Sequence, residues 1–252
     1  CIDQRIRPCR VPPKPFGASI SLLFTVPPTN KKYRGILVMR DYSSATSQFD
    51  YLHTVNTALH GSLEALNACV ECCDRHALPG RIALFWEGRD GSDATWTYRD
   101  LQDNAARFAN FLLAQGVGKG DKVAGLLPRT AELLIVVLAT WRIGAVYQPL
   151  FTAFGPKAIE HRLGSSGARV VVTDAVNRPK LNDVAGCPTV VTVGGAKGQG
   201  IVRGDYSFWA EVANHANQCE PVMLSGEDPF LLMFTSGTTG PPKGVELTQA
   251  NI

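Results

Sequence analysis

The sequence has no apolar run long enough to cross a bilayer, because its longest, Leu133–Ala139, has seven residues, whereas a membrane helix needs about 20. Charged residues make up only 19% of the 252 residues and aromatic residues 8%. Neither a collagen repeat nor a sustained coiled-coil heptad pattern is present. Hydrophobic residues make up 45%, which predicts a globular chain of one large or two small domains.

A strong charge of either sign is also lacking, since the formal net charge is only +3. This small value conceals an asymmetry. Residues 1–38 contain seven Lys and Arg against one acid, together with six of the 16 prolines, whereas the rest of the chain carries −3. Basic and aromatic residues do not alternate in that remainder, so we expect no nucleic-acid partner.

Residues 1–38 differ enough from the rest in composition to need a separate interpretation. Arginines ahead of the apolar run Phe16–Val26 resemble a secretory signal, and they would also suit a mitochondrial presequence. No small-residue cleavage site follows that run, however, and the prolines would break an amphipathic helix. We therefore favour a non-native or disordered upstream segment, translated in frame ahead of a true start at Met39, with folded structure over 39–252.

The seven cysteines do not form a disulfide framework, because their number is odd and they are scattered along a long chain. Such usage is typical of a reducing compartment, so we expect a cytoplasmic protein. One group is closely spaced, Cys69-x-x-Cys72-Cys73-x-x-His76. On a helix over Leu63–His76, capped by Ser62, these side chains would share a face that could in principle hold zinc. No second CxxC or HxxxH follows, so we favour a buried core face and expect no metal site.

Hydrophobic periodicity predicts that helices and strands alternate after Met39. The strongest helix pattern is Arg99–Gln115, which ends at Gly116. The other predicted helices are Leu63–His76, Ala131–Ile143 and Lys157–Leu163, and residues 194–204 are predicted to be a surface loop. The predicted strands are Arg81–Trp86, Ala94–Tyr98, Lys122–Leu127, a short one near Val146, Arg169–Thr173, Thr189–Val193 and Phe230–Phe234. This alternation predicts an α/β fold in which helices are layered on a largely parallel sheet.

The last predicted strand runs directly into a Gly- and Thr-rich segment that contains a lysine, Phe234-Thr-Ser-Gly-Thr-Thr-Gly-Pro-Pro-Lys-Gly-Val245. The two glycines between the hydroxyl residues allow unusual backbone conformations and let a ligand approach the main chain. Successive backbone N–H groups in such a loop form an anion-binding concavity, to which hydroxyls and an ammonium group add. We therefore expect a polyphosphate ligand. The candidate binding residues are Thr235, Ser236, Gly237, Thr238, Thr239, Gly240 and Lys243.

This segment differs from the commoner phosphate loop G-x-x-x-x-G-K-[ST], because Lys243 follows a proline and precedes a glycine. It resembles instead the phosphate-binding signature of the AMP-forming adenylating enzymes, which include acyl-CoA synthetases, adenylation domains of peptide synthetases, and luciferases. Cys73–His76 and the Arg-Ile-Gly-Ala string look most like the acetyl-CoA synthetase branch. Three earlier segments resemble further elements of the family in the same order: Trp96–Leu101, Gly116–Ala124 and Trp141–Tyr147.

The resemblance implies the N-terminal part of an adenylate-forming enzyme and a two-step ligase reaction. A carboxylate attacks the α-phosphorus of Mg²⁺-bound ATP, giving an acyl-adenylate and pyrophosphate, and the thiol of coenzyme A then displaces AMP. It also implies that residues 235–240 hold the β- and γ-phosphates, and that Lys243 is catalytic by supporting the loop or the leaving pyrophosphate. The implied partners are ATP, Mg²⁺, coenzyme A and a short- to medium-chain carboxylic acid.

Alternatives stay open at this point: an amino-acid or aryl-acid adenylation domain, a nucleotide-binding module without transfer chemistry, or a structural protein on the same core. The sequence departs from the family pattern at Thr248-Gln249-Ala250-Asn251, where many members have Thr-His-x-Asn. Gln249 therefore puts an amide in place of a histidine that could contact the acyl or phosphate group. In the family, the contacts to adenine, ribose, Mg²⁺ and the acyl group come after the position of Ile252. We therefore expect residues 39–252 to be the first half of the AMP-binding N-terminal domain and inactive alone, with an exposed apolar face and an unpaired edge at the strand Phe230–Phe234.

Overall fold

The computed structural model describes residues 41–47, 49–195, 198–235 and 240–252. The chain divides into two units, residues 1–48 and 49–252. The described part of the first unit is a short helix, α1 (Tyr42–Ser47), whose Ser44 N–H donates to the Asp41 carboxylate at 2.9 Å. The interpretation of residues 1–38 as an upstream segment lies outside the described residues and stays a prediction.

Helices and short strands alternate along the second unit. Its helices are α2 (Tyr51–Ala58), α3 (Ala68–Cys72), α4 (Tyr98–Ala114), α5 (Ala131–Arg142), α6 (Pro156–Ser166) and α7 (Phe208–Asn214), with 3-10 turns at Asp74–His76, Arg178–Leu181 and Gln249–Asn251. Its strands are β1 (Ile82–Glu87), β2 (Asp93–Thr97), β3 (Lys122–Leu126), β4 (Val146–Pro149), β5 (Val170–Asp174), β6 (Thr189–Val193), β7 (Tyr206–Ser207), β8 (Pro229–Thr235) and β9 (Lys243–Thr248). Among the helices in the described ranges, none combines the length and the apolar composition that a membrane crossing requires.

Seven strands form one sheet in the order β7-β6-β5-β3-β4-β8-β9, and β1 pairs with β2 in a separate antiparallel hairpin. Every neighbouring pair from β7 to β8 is parallel, whereas β8 and β9 are antiparallel. The largely parallel α/β sheet predicted from the sequence is therefore confirmed. Because the parallel strands end at one common edge, the chain that leaves β8 emerges where open α/β sheets bind their ligands.

Helices cover both faces of the sheet, and neighbouring residues of the central strand β3 pack against different helices. Val123 packs in one buried cluster with Phe108 of α4 and Ile135 of α5. The next residue along the strand, Ala124, points the opposite way into a second cluster that includes Ile159 of α6. A strand buried on both faces reads as a continuous apolar run, which is why β3 is recognisable in the sequence.

Helix α4 follows the sequence prediction closely and has a clear local cause. Thr97 caps it: the Thr97 hydroxyl accepts from the Asp100 N–H at 3.1 Å, and the Asp100 carboxylate accepts from the Thr97 N–H at 2.8 Å. This reciprocal pair satisfies backbone donors that the first turn of a helix leaves without partners. The predicted apolar stripe of α4 is buried, with Leu101 and Leu112 both below 5% exposure.

The predicted helix Leu63–His76 is wrong in its first five residues and in its cap, Ser62, whereas Ala68–Cys72 and Asp74–His76 are helical. Leu66 instead pairs with Leu224 through two backbone hydrogen bonds of 2.8 and 2.9 Å, and α3 begins only at Ala68. The cap is Asn67, whose side-chain oxygen accepts from Cys69 N–H at 2.8 Å while its amide donates to the Val222 carbonyl at 2.8 Å. A partner more than 150 residues away thus holds this segment out of a helix, and local periodicity carries no sign of it.

The cysteine group is split rather than placed on one face. Cys69 and Cys73 are buried, as the core interpretation predicts, but Cys72, the last residue of α3, is exposed. Burial raises the pKa of the Cys73 thiol to about 12. Within the described residues, no three His, Cys, Asp or Glu side chains are grouped closely enough to hold a metal ion.

The expectation of an unpaired edge at the strand Phe230–Phe234 is also wrong. The strand lies between β4 and β9, and β9 is formed by residues that directly follow the signature loop. Strand β9 has no clear sequence pattern, because Gly244 interrupts its alternation and its side chains are mostly exposed. The loop is therefore the turn of a hairpin.

Candidate functional site

The signature segment joins two paired strands at the carboxyl edge of the parallel sheet. Thr235 ends β8, Lys243 begins β9, and the two residues lie opposite each other in the strand register. The first and last candidate residues are thus neighbours in space, although seven residues separate them in the chain. Four candidates lie outside the described residues, and their predicted role stays a prediction: Ser236, Gly237, Thr238 and Thr239.

The described ends of the loop are open to a ligand. Thr235 and Lys243 are both exposed. Gly240 has a φ of +97°, and no atom of the described residues lies within 4 Å of the position that a Cβ would occupy. The backbone conformation, rather than crowding, is therefore what favours glycine here.

Strand β8 is fixed by contacts near its start. Phe230 is buried, and its carbonyl accepts from the Trp141 indole N–H at 2.9 Å. Just ahead of the strand, the Lys119 ammonium lies 2.7 Å from the Asp228 carboxylate and holds the pKa of that carboxyl below its ordinary value. We call β8, which leads into the loop, and residues 241–243, which lead out of it, the two arms of the loop. These contacts attach the first arm to helix α5 and to the turn before β3.

Helix α6 packs against both arms of the loop. The His161 ring lies edge-on to Phe234 with the ring centroids 6.3 Å apart, and its Nε2 is 3.3 Å from the Pro242 carbonyl oxygen. Beside it, the Arg162 guanidinium stacks over Phe154 at 4.0 Å and lies 5.8 Å from the Phe234 ring. Hydrophobic periodicity predicts this helix but not the contacts of these two residues, since no spacing in the sequence links α6 to a loop about 80 residues later.

An open depression of about 450 Å³ lies beside the hairpin. Its walls come from α6, from the two hairpin strands and from the start of β3, and they include Lys122, Phe234 and Glu246. The depression therefore runs along the α6 side of the hairpin, from Phe234 near the loop towards the start of β3.

Gln249, which replaces histidine in the family pattern, is buried against another part of the chain. Its side-chain oxygen accepts from the Ala68 N–H at 3.0 Å, so it ties the turn after β9 to the start of α3. Its neighbour Asn251 accepts from the Thr248 N–H at 2.9 Å. In this structure the amide serves packing around α3 rather than facing the loop.

The arrangement suits the binding of a polyphosphate more than acid–base chemistry. Exposed hydroxyl and ammonium groups meet at the base of a glycine-containing hairpin, and such groups bind phosphate oxygens by charge-assisted hydrogen bonds. A complete phosphate-binding loop also depends on residues 236–239, which lie outside the described ranges.

Comparison with known proteins agrees with this geometry. The model of a family described as AMP-binding enzyme matches residues 73–252. Acetyl-coenzyme A synthetases of Sodalis glossinidius and Saccharophagus degradans are 37% and 38% identical to the chain, over 71% of its length in each case. The chain spans about 31% of the length of these curated relatives.

A solved structure, described as an acyl-CoA synthetase of Brucella canis, superposes on the chain with a TM-score of 0.78. It is 49% identical, over 82% of this chain and 38% of its own. The family match covers well over half of the residues, includes the hairpin and its supporting helices, and is accompanied by relatives that share sequence as well as fold. The chain therefore belongs to the AMP-binding enzyme family.

Proposed function

We propose that this chain supplies the phosphate-binding part of an AMP-forming acid–CoA ligase. The observation that carries the proposal is the hairpin, in which Thr235 and Lys243 face each other across the signature loop at the carboxyl edge of the sheet. The names of the relatives, acetyl-coenzyme A synthetase and acyl-CoA synthetase, support the same reaction class. Because the chain spans about a third of those relatives, we propose that residues 39–252 are one part of the enzyme's N-terminal domain.

In the first step, a carboxylate oxygen of the acid attacks the α-phosphorus of ATP, and the bond to the β-phosphate bridging oxygen breaks. Negative charge accumulates on the departing pyrophosphate. Residues 235–240 are proposed to hold the β- and γ-phosphates with backbone N–H and hydroxyl donors, and Lys243 to balance the developing charge. Preorganised donors aimed at developing charge are a large source of rate enhancement.

In the second step, the sulfur of coenzyme A attacks the acyl carbon, and the carbon–oxygen bond to AMP breaks. Nothing among the described residues is assigned to this step. Mg²⁺ is proposed to enter with the phosphates of ATP as part of that substrate. The free cysteines of the described residues support a reducing, cytoplasmic location.

We propose a short- to medium-chain carboxylic acid as the substrate. The test is AMP release by the protein encoded by the complete reading frame, measured with a panel of fatty acids and a panel of amino acids. We expect AMP release that requires both a fatty acid and coenzyme A. Turnover with amino acids and without coenzyme A would favour an adenylation domain of the peptide-synthetase type, and ATP binding with no acid-dependent turnover would favour a non-catalytic nucleotide-binding module.

A matched preparation of residues 1–252 tests whether this part acts alone. We expect no AMP release from it under the conditions in which the complete protein turns over. Equal activity in the two preparations would contradict the assignment of the remaining contacts to other residues.

A further inference from the structure

Helix α6 contacts the two arms of the signature loop through one side chain. His161 projects between Phe234, the residue before Thr235, and Pro242, the residue before Lys243. The two arms are otherwise linked to each other only by the ladder of β8 and β9, which ends at the pair Thr235 and Lys243 within the described residues. A side chain in this place can set the angle at which both arms leave the sheet.

The hydrogen bonds of His161 fix the form of its ring. The Pro242 carbonyl oxygen can only accept, so Nε2, at 3.3 Å, carries the proton and donates. In the neutral ring Nδ1 then has a free lone pair and accepts from the Ser165 hydroxyl at 3.3 Å. Ser165 lies one helical turn further along α6, so helix, ring and loop form a continuous chain of donors and acceptors.

We propose that His161 is a positioning residue for ATP binding, which holds the Pro242–Lys243 arm of the loop through its Nε2–H. The inference rests on the proposed function, because it assigns the arm a role in holding the phosphates of ATP. Without this bond the arm has to be ordered by the ligand itself, so ATP binds more weakly. The proposal assigns this arm no contact with the acid, so we expect binding of the acid not to depend on the bond.

Two substitutions separate the hydrogen bond from the aromatic packing. His161→Phe keeps a ring against Phe234 but has no donor for Pro242, and His161→Gln keeps a donor while losing the ring. Lys157→Ala is the matched control on the same helix, since the Lys157 side chain is 92% exposed and makes only a 3.4 Å pair with Glu160.

The first measurement is the KM for ATP and for the acid in the protein encoded by the complete reading frame. We expect His161→Phe to raise the KM for ATP about 3- to 10-fold, the effect of losing one hydrogen bond. The KM for the acid should stay within about 2-fold, and both His161→Gln and Lys157→Ala should behave like the unchanged protein. An unchanged KM for ATP in His161→Phe, or equal rises in both KM values, would overturn the proposal.

The second measurement does not need activity, so it separates failure of this inference from failure of the proposed function. A long-range ¹H–¹⁵N NMR spectrum of the chain should show His161 protonated at Nε2, with Nδ1 unprotonated. Backbone hydrogen exchange over β9 should be faster in His161→Phe and normal in His161→Gln. A ring protonated at Nδ1 alone, or unchanged exchange in His161→Phe, would overturn the positioning role whether or not the protein forms adenylates.

Discussion

Replacing Asp205 by asparagine would remove the charge from one of the enclosed ion pairs among the described residues. The Asp205 side chain is only 3% exposed, and its oxygens accept from Arg178 Nε at 2.6 Å and from a second guanidinium nitrogen at 2.9 Å. The Thr192 hydroxyl donates to it at 2.7 Å, and the Val202 N–H at 3.3 Å. The pair joins the 3-10 turn after β5 to strand β6, through Thr192, and to the turn before the edge strand β7.

The expected loss of stability follows from what remains after the change. Asparagine keeps one carbonyl oxygen, so some of the hydrogen bonds survive, but Arg178 is left as a charge whose side chain is only 11% exposed. Removing one partner of a buried ion pair typically costs about 3–5 kcal/mol. For a domain of this length that corresponds to a fall in Tm of roughly 6–20 °C, at about 2–4 °C per kcal/mol.

The pH dependence has a defined sign. Burial alone would raise the pKa of Asp205, but hydrogen bonds from Arg178 and Thr192 outweigh it and lower the pKa below its ordinary value. A group with a lowered folded-state pKa stabilises the fold above its unfolded pKa, about 3.9 for Asp, and loses that contribution as the pH falls through the folded value. The unchanged protein should therefore lose stability below about pH 4, and Asp205→Asn should lack this part of the loss.

The assay is urea unfolding of the protein encoded by the complete reading frame, followed by fluorescence at pH 7 and at steps down to pH 3. Glu160→Gln is the control, because it removes an exposed pair with Lys157 that we expect to contribute less than about 0.5 kcal/mol. An Asp205→Asn variant that unfolds at the same urea concentration as Glu160→Gln would refute the reasoning.

Two further predictions concern the core. Gly125→Ala should destabilise the protein by about 1–3 kcal/mol, since a Cβ there would lie 3.0 Å from the buried ring of Tyr147 and against its hydroxyl. Gly118→Ala, with no atom within 4 Å of its Cβ, should unfold like the unchanged protein in the same urea titration. Iodoacetamide should label Cys72 at least tenfold faster than Cys69, because Cys69 is fully buried and burial raises its pKa well above the ordinary value. Peptide mass spectrometry measures both rates, and equal labelling would contradict the described burial.

The sequence predicts those elements whose cause is local. The capping box at Thr97 and Asp100 marks the start of α4, and continuous apolar runs mark β3 and β5, both buried on two faces. Composition and alternation then suffice for an α/β sheet. The signature segment could be recognised because glycine, hydroxyl residues and lysine at that spacing are uncommon after a buried strand.

The remainder depends on contacts between distant residues. Leu66 pairs with Leu224 instead of continuing a helix, and Asn67 donates to the Val222 carbonyl. Strand β9 is exposed along most of its length and pairs only because the loop returns the chain to β8. His161 lies next to Pro242 through folding alone. No local pattern can encode such partners, so the hairpin and the contacts that α6 makes with it became apparent only in the structure.

The central claim is that the loop between β8 and β9, which ends at Lys243, holds the phosphates of ATP during adenylate formation. The most direct test is acid-dependent exchange of labelled pyrophosphate into ATP by the protein encoded by the complete reading frame. Lys243→Ala removes the charge and Gly237→Val restricts the approach of a ligand to the backbone, and each should lower the exchange rate on the order of 10²-fold, whereas Lys157→Ala should leave it unchanged. Full exchange activity in both loop variants would contradict the account.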